Sequence, residues 1–283
     1  MKKNIEQVQT LLEALPYIKR YKNEIFVIKY GGSAQLNPQL KEKFARDIIL
    51  MYLVGIKPVI VHGGGNAIGK TLDKMQIESH FVDGLRITTE EIMEVVEMVL
   101  SGSINNEITT LLNMHGAQAV GVSGKDANFL QAQAIDQEKY GYVGKITKID
   151  PTLIEKMIAE KFIPVIAPIG AYEQSGHLGF NINADTAASH IAVALNARKV
   201  IFMTDTPGVL DDNKALLHTL NEQQIELLKE QETIVGGMIP KVDACLHSVK
   251  GGVPKAHIID GRVEHALLLE VLTSEGIGTV IKL

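Results

Sequence analysis

Two periodicities alternate along this chain. Residues 5–15 place Ile5, Val8, Leu11, Leu12 and Leu15 on one helical face, and Pro16 is expected to stop that helix. An amphipathic helix ahead of the first strand either packs on its own domain or pairs with another subunit. Glu24–Tyr30 reads as a buried strand ending in Gly31, Gly32 and Ser33, and Pro38–Val54 as a helix with Leu40, Phe44, Ile48 and Met51 on its apolar stripe. The apolar run Val59-Ile60-Val61 supplies the second strand, which makes a right-handed βαβ start to a parallel sheet.

The alternation continues downstream. Thr88 and Glu91 form a capping box for a helix to about Leu100; a second helix covers Ile104–Met114, and Ala117–Val122 is the third strand. Between Gln131 and Asp150, β-branched and aromatic residues around Gly141 and Gly144 predict a β-hairpin. Helix 151–161, strand Ile163–Ala167 and a second short hairpin near Tyr172–Phe180 follow. Helix 184–195, strand Lys199–Thr204, helix 237–249, strand Ala256–Asp260 and a closing strand Thr279–Lys282 complete the pattern. The expected fold is α/β, an open and mainly parallel central sheet sandwiched by helices, with β-hairpins. A helical segment 1–22 precedes one continuous domain with lobes 23–180 and 181–283, the boundary lying near Asn181.

Composition narrows the function. The net charge of -5 over 283 residues, without long blocks of one sign, gives no footprint for nucleic acid or an anionic membrane. A small-molecule site fits better. Cys245 is the only cysteine, so no internal disulfide forms and a reducing, cytoplasmic setting is expected. The longest apolar stretch, Phe162–Ala171, is too short to span a bilayer and contains two prolines and a glycine. Glu6 and Glu13 interrupt the N-terminal segment, so no signal peptide is expected.

Gly64–Thr71 satisfies the phosphate-loop pattern G-x-x-x-x-G-K-[ST] after an apolar strand, and Val200–Asp205 resembles the acid-terminated strand such enzymes also carry. That reading leaves Lys29, Asn181, Asn183 and Lys241 without a role. A second reading uses four loops beyond strand ends: Lys29 with Gly31-Gly32, His62 with Gly63-Gly64-Gly65, Asn181-Ile-Asn183-Ala-Asp185, and Gly236-Gly237 with Lys241. Glycine N–H groups and helix N-termini receive anions, and two lysines from distant segments suit a phosphoryl group whose charge is spread over its oxygens. Asp185 either caps a helix or orients the two lysines. Asp205-Thr-Pro-Gly208-Val209-Leu210 is a turn able to hold a purine and ribose, and Arg86 suits a carboxylate. The nine histidines show no metal-ligand spacing, and no metal site is expected.

K-Y-G-G-S at 29–33, V-H-G-G-G at 61–65, D-G-L-R-I-T at 83–88, F-N-I-N-A-D-T-A-A at 180–188, D-T-P-G-V-L at 205–210 and G-G-M-I-P-K at 236–241 together resemble the amino acid kinase family, in unbroken order over residues 24–283. The resemblance implies ATP-dependent phosphorylation, with Mg²⁺, of the γ-carboxylate of N-acetyl-L-glutamate in arginine biosynthesis; carbamate, glutamate, aspartate and aminoadipate-derivative kinases are its neighbours. It implies Lys29 and Lys241 as transition-state stabilisers organised by Asp185. Gly64, Gly65 and Arg86 of the N-terminal lobe, with Asn181 and Asn183 at the lobe boundary, would bind the amino acid. Gly31, Gly32, Asp205, Gly208, Val209, Leu210, Gly236 and Gly237 would bind the nucleotide, largely from the C-terminal lobe. It further implies a homo-oligomer, a hexamer built as a trimer of dimers through the N-terminal helix. Feedback inhibition by L-arginine at His257, Glu270, Gly276, Lys199 and Tyr17 is also implied.

Overall fold

The computed structural model describes residues 2–172 and 178–283; the turn of the hairpin expected near Tyr172–Phe180 falls in residues 173–177, outside the described residues. The chain runs through helix α1 (Lys2–Tyr21), strand β1 (Ile25–Tyr30), α2 (Pro38–Leu53), β2 (Lys57–His62) and α3 (Gly65–Met75). The short strands β3 (Phe81–Val82) and β4 (Leu85–Arg86) lead to α4 (Glu90–Glu97), a π-helical segment Met98–Ile104 and α5 (Asn105–Met114). Next come β5 (Ala119–Ser123), β6 (Leu130–Ala134), α6 (Gln137–Tyr140), β7 (Gly144–Ile149), α7 (Thr152–Ala159), β8 (Ile163–Ala167), β9 (Ile169–Gly170) and β10 (Phe180–Asn181). The rest comprises α8 (Ala184–Ala194), β11 (Lys199–Thr204), β12 (Thr219–Leu220), α9 (Glu222–Glu230), α10 (Ile239–Lys250), β13 (Ala256–Asp260), α11 (Ala266–Leu272) and β14 (Thr279–Ile281).

Among the described residues an eight-stranded sheet has the order β12-β14-β13-β11-β1-β2-β8-β5. Only the β13–β14 pairing is antiparallel. The mainly parallel α/β architecture is therefore as the sequence pattern predicts. The hairpin expected between Gln131 and Asp150 is the antiparallel β6–β7 pair.

Strand period decides what reaches each face of the sheet. Phe26, Ile28, Tyr30 and Ile60 pack with α2, α4 and α5, whereas Val27, Val59 and Val61 pack with α7, α8 and α10. By the same alternation Lys29 falls on the α8 face and His62 on the α5 face. This parity puts chemistry on both sides of the two central strands.

Several local expectations change. Pro16 lies inside α1 and does not end it. The hydrogen bond lost at proline is offset by burial of Tyr21, which meets the Phe26 ring edge-on at 5.2 Å. The cap of α4 is Thr89, whose hydroxyl accepts from Ile92 N at 3.3 Å, and not Thr88. Thr88 is unavailable because its backbone bonds sideways to Tyr140 and Tyr142. The helical path also continues past Leu100, through the π-helical segment into α5. The strand expected over Ala117–Val122 begins two residues later and ends at Ser123. α9 and the short β3–β4 and β12 strands lack a long apolar period and escape pattern reading.

Asp47 of α2 ties the two ends of the domain together. It is 2 % exposed, accepts from the backbone of Leu267 and Leu268 at the start of α11, and lies 2.6 Å from His265 Nδ1. Burial pushes its carboxyl from 3.8 up to about 6, with His265 and the backbone N–H groups working the other way. Between these values the folded protein holds more protons than the unfolded chain. From this group, stability therefore falls as pH rises from about 4 to about 6, by on the order of 3 kcal/mol, and is level above. Asp47→Asn cannot ionise and is expected to remove that slope from urea-unfolding free energies measured across the window; an unchanged slope would assign it to other groups.

Candidate active site

Three charged side chains from distant segments converge beyond the carboxyl ends of β1 and β11. Asn183 caps α8, its Oδ1 accepting from Asp185 N at 2.9 Å and Thr186 N at 3.1 Å. Asp185 is thus relieved of capping, and its carboxylate is free to face β1. Lys29 Nζ lies 3.0 Å from Asp185 Oδ1, outside aligned hydrogen-bond geometry, and Lys241 Nζ donates to Oδ2 at 2.8 Å. Lys241 reaches it from the first turn of α10, just after the 3-10 turn Gly236–Met238.

Asp185 is 5 % exposed and Lys29 9 %. Burial pushes the Asp185 carboxyl up, but the two ammonium groups outweigh it and hold the group below its ordinary value. A buried carboxylate flanked by two cations leaves a net positive charge. That is a receptor for an anion and for charge developing on one.

On the α3 side, a cavity of about 220 Å³ is lined by Gly64, Gly65, Phe81, Arg86, Asn181 and Asn183, among others. Arg86 is held before any ligand arrives. Its guanidinium stacks 4.5 Å over the Phe81 ring, Nη1 donates to Ser79 Oγ at 2.5 Å and Nη2 to Gly65 O at 3.1 Å. Asn181 Nδ2 donates to Thr88 Oγ1 at 3.2 Å, and Thr88 in turn donates to Arg86 O at 2.8 Å. The cavity and the charge cluster adjoin: a Cβ on Gly63 would stand 3.7 Å from that of Ala184, beside Asp185.

The glycine loops are shaped by close approach. A Cβ on Gly64 would lie 2.4 Å from Ile104 Cδ1 and 2.5 Å from Leu100 Cδ2, whereas one on Gly65 meets nothing within 4 Å. Gly32 has φ +68°, and a Cβ there would lie 2.6 Å from Asp205 Oδ1. Asp205 also accepts from Ser33 N at 2.7 Å, so it braces the Gly31–Gly32 turn from the end of β11. Gly236 and Gly237 are open to their surroundings. Val209 is buried, and its N–H is taken by Thr279 Oγ1 at 2.9 Å beside Gly208; Leu210 is half-buried.

The residues expected to hold arginine form a separate cluster. Glu270 is 5 % exposed, pairs with His257 Nδ1 at 2.6 Å and accepts from Ile277 N at 2.8 Å; a Cβ on Gly276 would touch both its oxygens. Burial lowers the Lys199 ammonium to about 8, opposed by Glu270, and its Nζ sits 5.0 Å from the Tyr21 ring centre. Tyr17 packs half-buried nearby on α1. Lys70, essential to the phosphate-loop reading, is exposed on α3. The sequence pattern gave no site role to Ser79, Phe81, Thr88 or Asn105. It placed His62 with the glycine loop but gave its side chain no role, for which strand parity was the available signal.

The sequence model of the amino acid kinase family matches residues 24–260. The chain is 63 % identical over 281 residues to an acetylglutamate kinase of a Nitratiruptor species, covering 99 % of each chain. Among solved structures it is similar to the N-acetylglutamate synthase of Neisseria gonorrhoeae. The complex of that synthase with coenzyme A and N-acetyl-glutamate gives TM-score 0.87 at 26 % identity, and covers 98 % of this chain but 63 % of the synthase. Its complex with coenzyme A and L-arginine gives TM-score 0.81 at 25 % identity, with 97 % and 65 % covered. A carbamate kinase from Giardia lamblia bound to AMP-PNP shares the fold, with TM-score 0.70 at 18 % identity over 92 % of this chain and 98 % of that one.

The two neighbouring glycines give a sharp contrast. Gly64→Ala overpacks the contact with Leu100 and Ile104 and is expected to cost about 1–3 kcal/mol in urea unfolding. Gly65→Ala, which meets open space, is expected to leave unfolding unchanged. Equal effects would mean that the loop is not held by that contact.

Proposed function

The chain belongs to the amino acid kinase family, and on that premise we propose that it transfers the terminal phosphoryl group of ATP to the γ-carboxylate of N-acetyl-L-glutamate, giving an acyl phosphate. The observation that carries the reading is the buried Asp185 carboxylate held between the Lys29 and Lys241 ammonium groups beside a cavity lined by Arg86. ATP is the co-substrate, as the kinase family implies.

Arg86 takes the α-carboxylate of the amino acid, its remaining donors aimed by the Phe81 stack and the Ser79 and Gly65 bonds. Asn181 and Asn183 border the same cavity and position the rest of the molecule. The γ-carboxylate is ionised at neutral pH, so it attacks phosphorus without a general base. The γ-phosphorus–oxygen bond to ADP breaks as the bond to the carboxylate oxygen forms. Lys29 and Lys241 neutralise the transferring group from two sides, and Asp185 fixes both cations. Gly64 and Gly65 offer N–H groups at the start of α3. Gly31, Gly32, the braced Asp205 loop, Gly208 with its neighbours Val209 and Leu210, and Gly236-Gly237 border the nucleotide.

Magnesium enters as the metal complex of ATP. Among the described residues no cluster of three or more metal-ligating side chains occurs, and Asp185 is engaged by two ammonium groups. Its ligands would include phosphate oxygens of the nucleotide, as is usual for this ion.

The same proposal assigns residues 23–180 to the amino acid and 181–283 largely to the nucleotide, in a cytoplasmic enzyme. Among the described residues no helix is long and apolar enough to cross a membrane. α1 exposes Ile5, Val8, Leu11, Leu12 and Leu15 as one stripe, which supports pairing with another copy in a hexamer of three dimers. L-Arginine is the proposed inhibitor at the Glu270 cluster, where α1 brings Tyr17 and Tyr21 against α11 and β11; the arginine complex of the gonococcal synthase supports this.

An ATP-dependent hydroxamate assay tests the reading. N-acetylglutamate is expected to yield acyl hydroxamate, glutamate and aspartate far less, and added arginine to reduce the yield. Lys241→Ala is expected to lower kcat by about 10²–10³, while Lys70→Ala leaves it unchanged. No hydroxamate from N-acetylglutamate, or loss only in Lys70→Ala, contradicts the reading. Leu11→Glu is expected to reduce the particle mass in light scattering; an unchanged mass removes α1 from the assembly.

A further inference from the structure

His62 is the last residue of β2, is fully buried, and faces away from Lys29 and Asp185. It nevertheless contacts the peptide group that opens the glycine loop. Gly63 N donates to Tyr30 O at 2.9 Å. Gly63 O is approached by Gln35 Nε2 at 3.2 Å and by the His62 ring through Nδ1 at 3.2 Å. A carbonyl oxygen only accepts, so Nδ1 must carry the hydrogen.

The other ring nitrogen has a matching partner. Asn105 Nδ2 lies 3.0 Å from Val165 O, 3.2 Å from His62 Nε2 and 3.4 Å from Val122 O. With its two amide hydrogens on the two nearer acceptors, His62 Nε2 accepts, which matches the neutral Nδ1–H tautomer that the Gly63 carbonyl requires. Burial supports the same state by lowering the His62 imidazole to about 4, against the opposing bond to Gly63. Asn105 is 3 % exposed and follows the π-helical segment Met98–Ile104. Room for it exists because residue 121 is glycine: a Cβ there would fall 1.6 Å from Asn105 Oδ1. The same segment presses Leu100 and Ile104 under Gly64. π-Helical turns recur at functional sites.

The consequence follows from peptide planarity. The Gly63 carbonyl and the Gly64 N–H belong to one trans peptide, so fixing the oxygen fixes the N–H in the opposite direction. We propose that His62, held as its Nδ1–H tautomer by Asn105, is a positioning residue that orients the Gly63–Gly64 peptide so that the Gly64 N–H donates to the phosphoryl group in transit. This rests on the phosphoryl-transfer reading of the site. It adds two residues, His62 and Asn105, that touch no substrate. Because the bond is made to the transferring group, its loss falls on kcat and not on the KM of either substrate.

Nitrogen NMR of the wild-type imidazoles, with His62→Asn identifying the His62 signals, reads the tautomer at neutral pH. Kinetics of His62→Leu and His62→Asn read its use. The proposal expects an Nδ1–H imidazole. It also expects a roughly 100-fold lower kcat in His62→Leu at nearly unchanged KM for ATP and N-acetylglutamate. His62→Asn should recover most of the loss, because its amide nitrogen stands near the position of Nδ1. An Nε2–H or doubly protonated ring overturns the proposal, as does a loss appearing in KM, or His62→Asn with activity no better than a leucine. If His62→Leu fails to fold, the tautomer and the His62→Asn kcat relative to wild type still decide, a large loss in the latter counting against the proposal. Wild-type protein that makes no acyl phosphate would sink the functional reading instead, while the tautomer remains testable.

Discussion

A carboxylate buried between two ammonium groups constrains this molecule more than any other contact. Asp185 can stay ionised at 5 % exposure only because Lys29 and the half-buried Lys241 accompany it, and Asp185 in turn offsets the burial of Lys29. The three come from β1, α8 and α10, so the arrangement exists only when the centre of the sheet and the helices on one face are assembled together. Removing the carboxylate would leave the buried Lys29 cation facing the half-buried Lys241 cation with nothing between them. The net positive charge that remains is what a phosphoryl group, more negative than any group of the fold, is suited to complete.

The loops around that cluster are built by crowding. Gly64 sits on Leu100 and Ile104, Gly32 on Asp205, and Gly63 near Ala184, so bare backbone lies where side chains would otherwise stand. Backbone N–H groups thus reach positions that no side-chain donor could share with the same economy of space. Strand parity then distributes the work over both faces of the sheet. Lys29 meets charge on the α8 side, and His62 meets Asn105 on the α5 side, with the glycine loop between them.

Much of this was legible before any coordinates, for identifiable reasons. Parallel strands buried on both faces leave continuous apolar runs, and a polar group at their end, such as Lys29 on β1, stands out against them; Asn181, Asp185 and Lys241, on β10, α8 and α10, stand out by the asparagine and glycine strings beside them. The phosphate-loop string Gly64–Thr71 was the weaker reading already in the sequence, because it left Lys29 and Lys241 without a role; Lys70 faces solvent on α3. Other features depend on contacts far apart in sequence. Asn105 looks like any helix-interior asparagine until the π-helical segment swings it over β5 and β8. Thr88 looks like a cap until Tyr140 and Tyr142 claim its backbone. Pro16 looks like a stop until Tyr21 packs against Phe26.

The central claim is that a carboxylate oxygen of the amino acid attacks the phosphoryl group held by Lys29 and Lys241. The most direct measurement labels the γ-carboxylate of N-acetylglutamate with heavy oxygen, runs the reaction with ATP, cleaves the product with hydroxylamine and weighs the released phosphate by mass spectrometry. Hydroxylamine attacks the acyl carbon, so the bridging oxygen leaves with phosphorus. The account predicts phosphate carrying an oxygen from the carboxylate. Phosphate free of label, with ATP consumed, would mean that water is the acceptor and would contradict it.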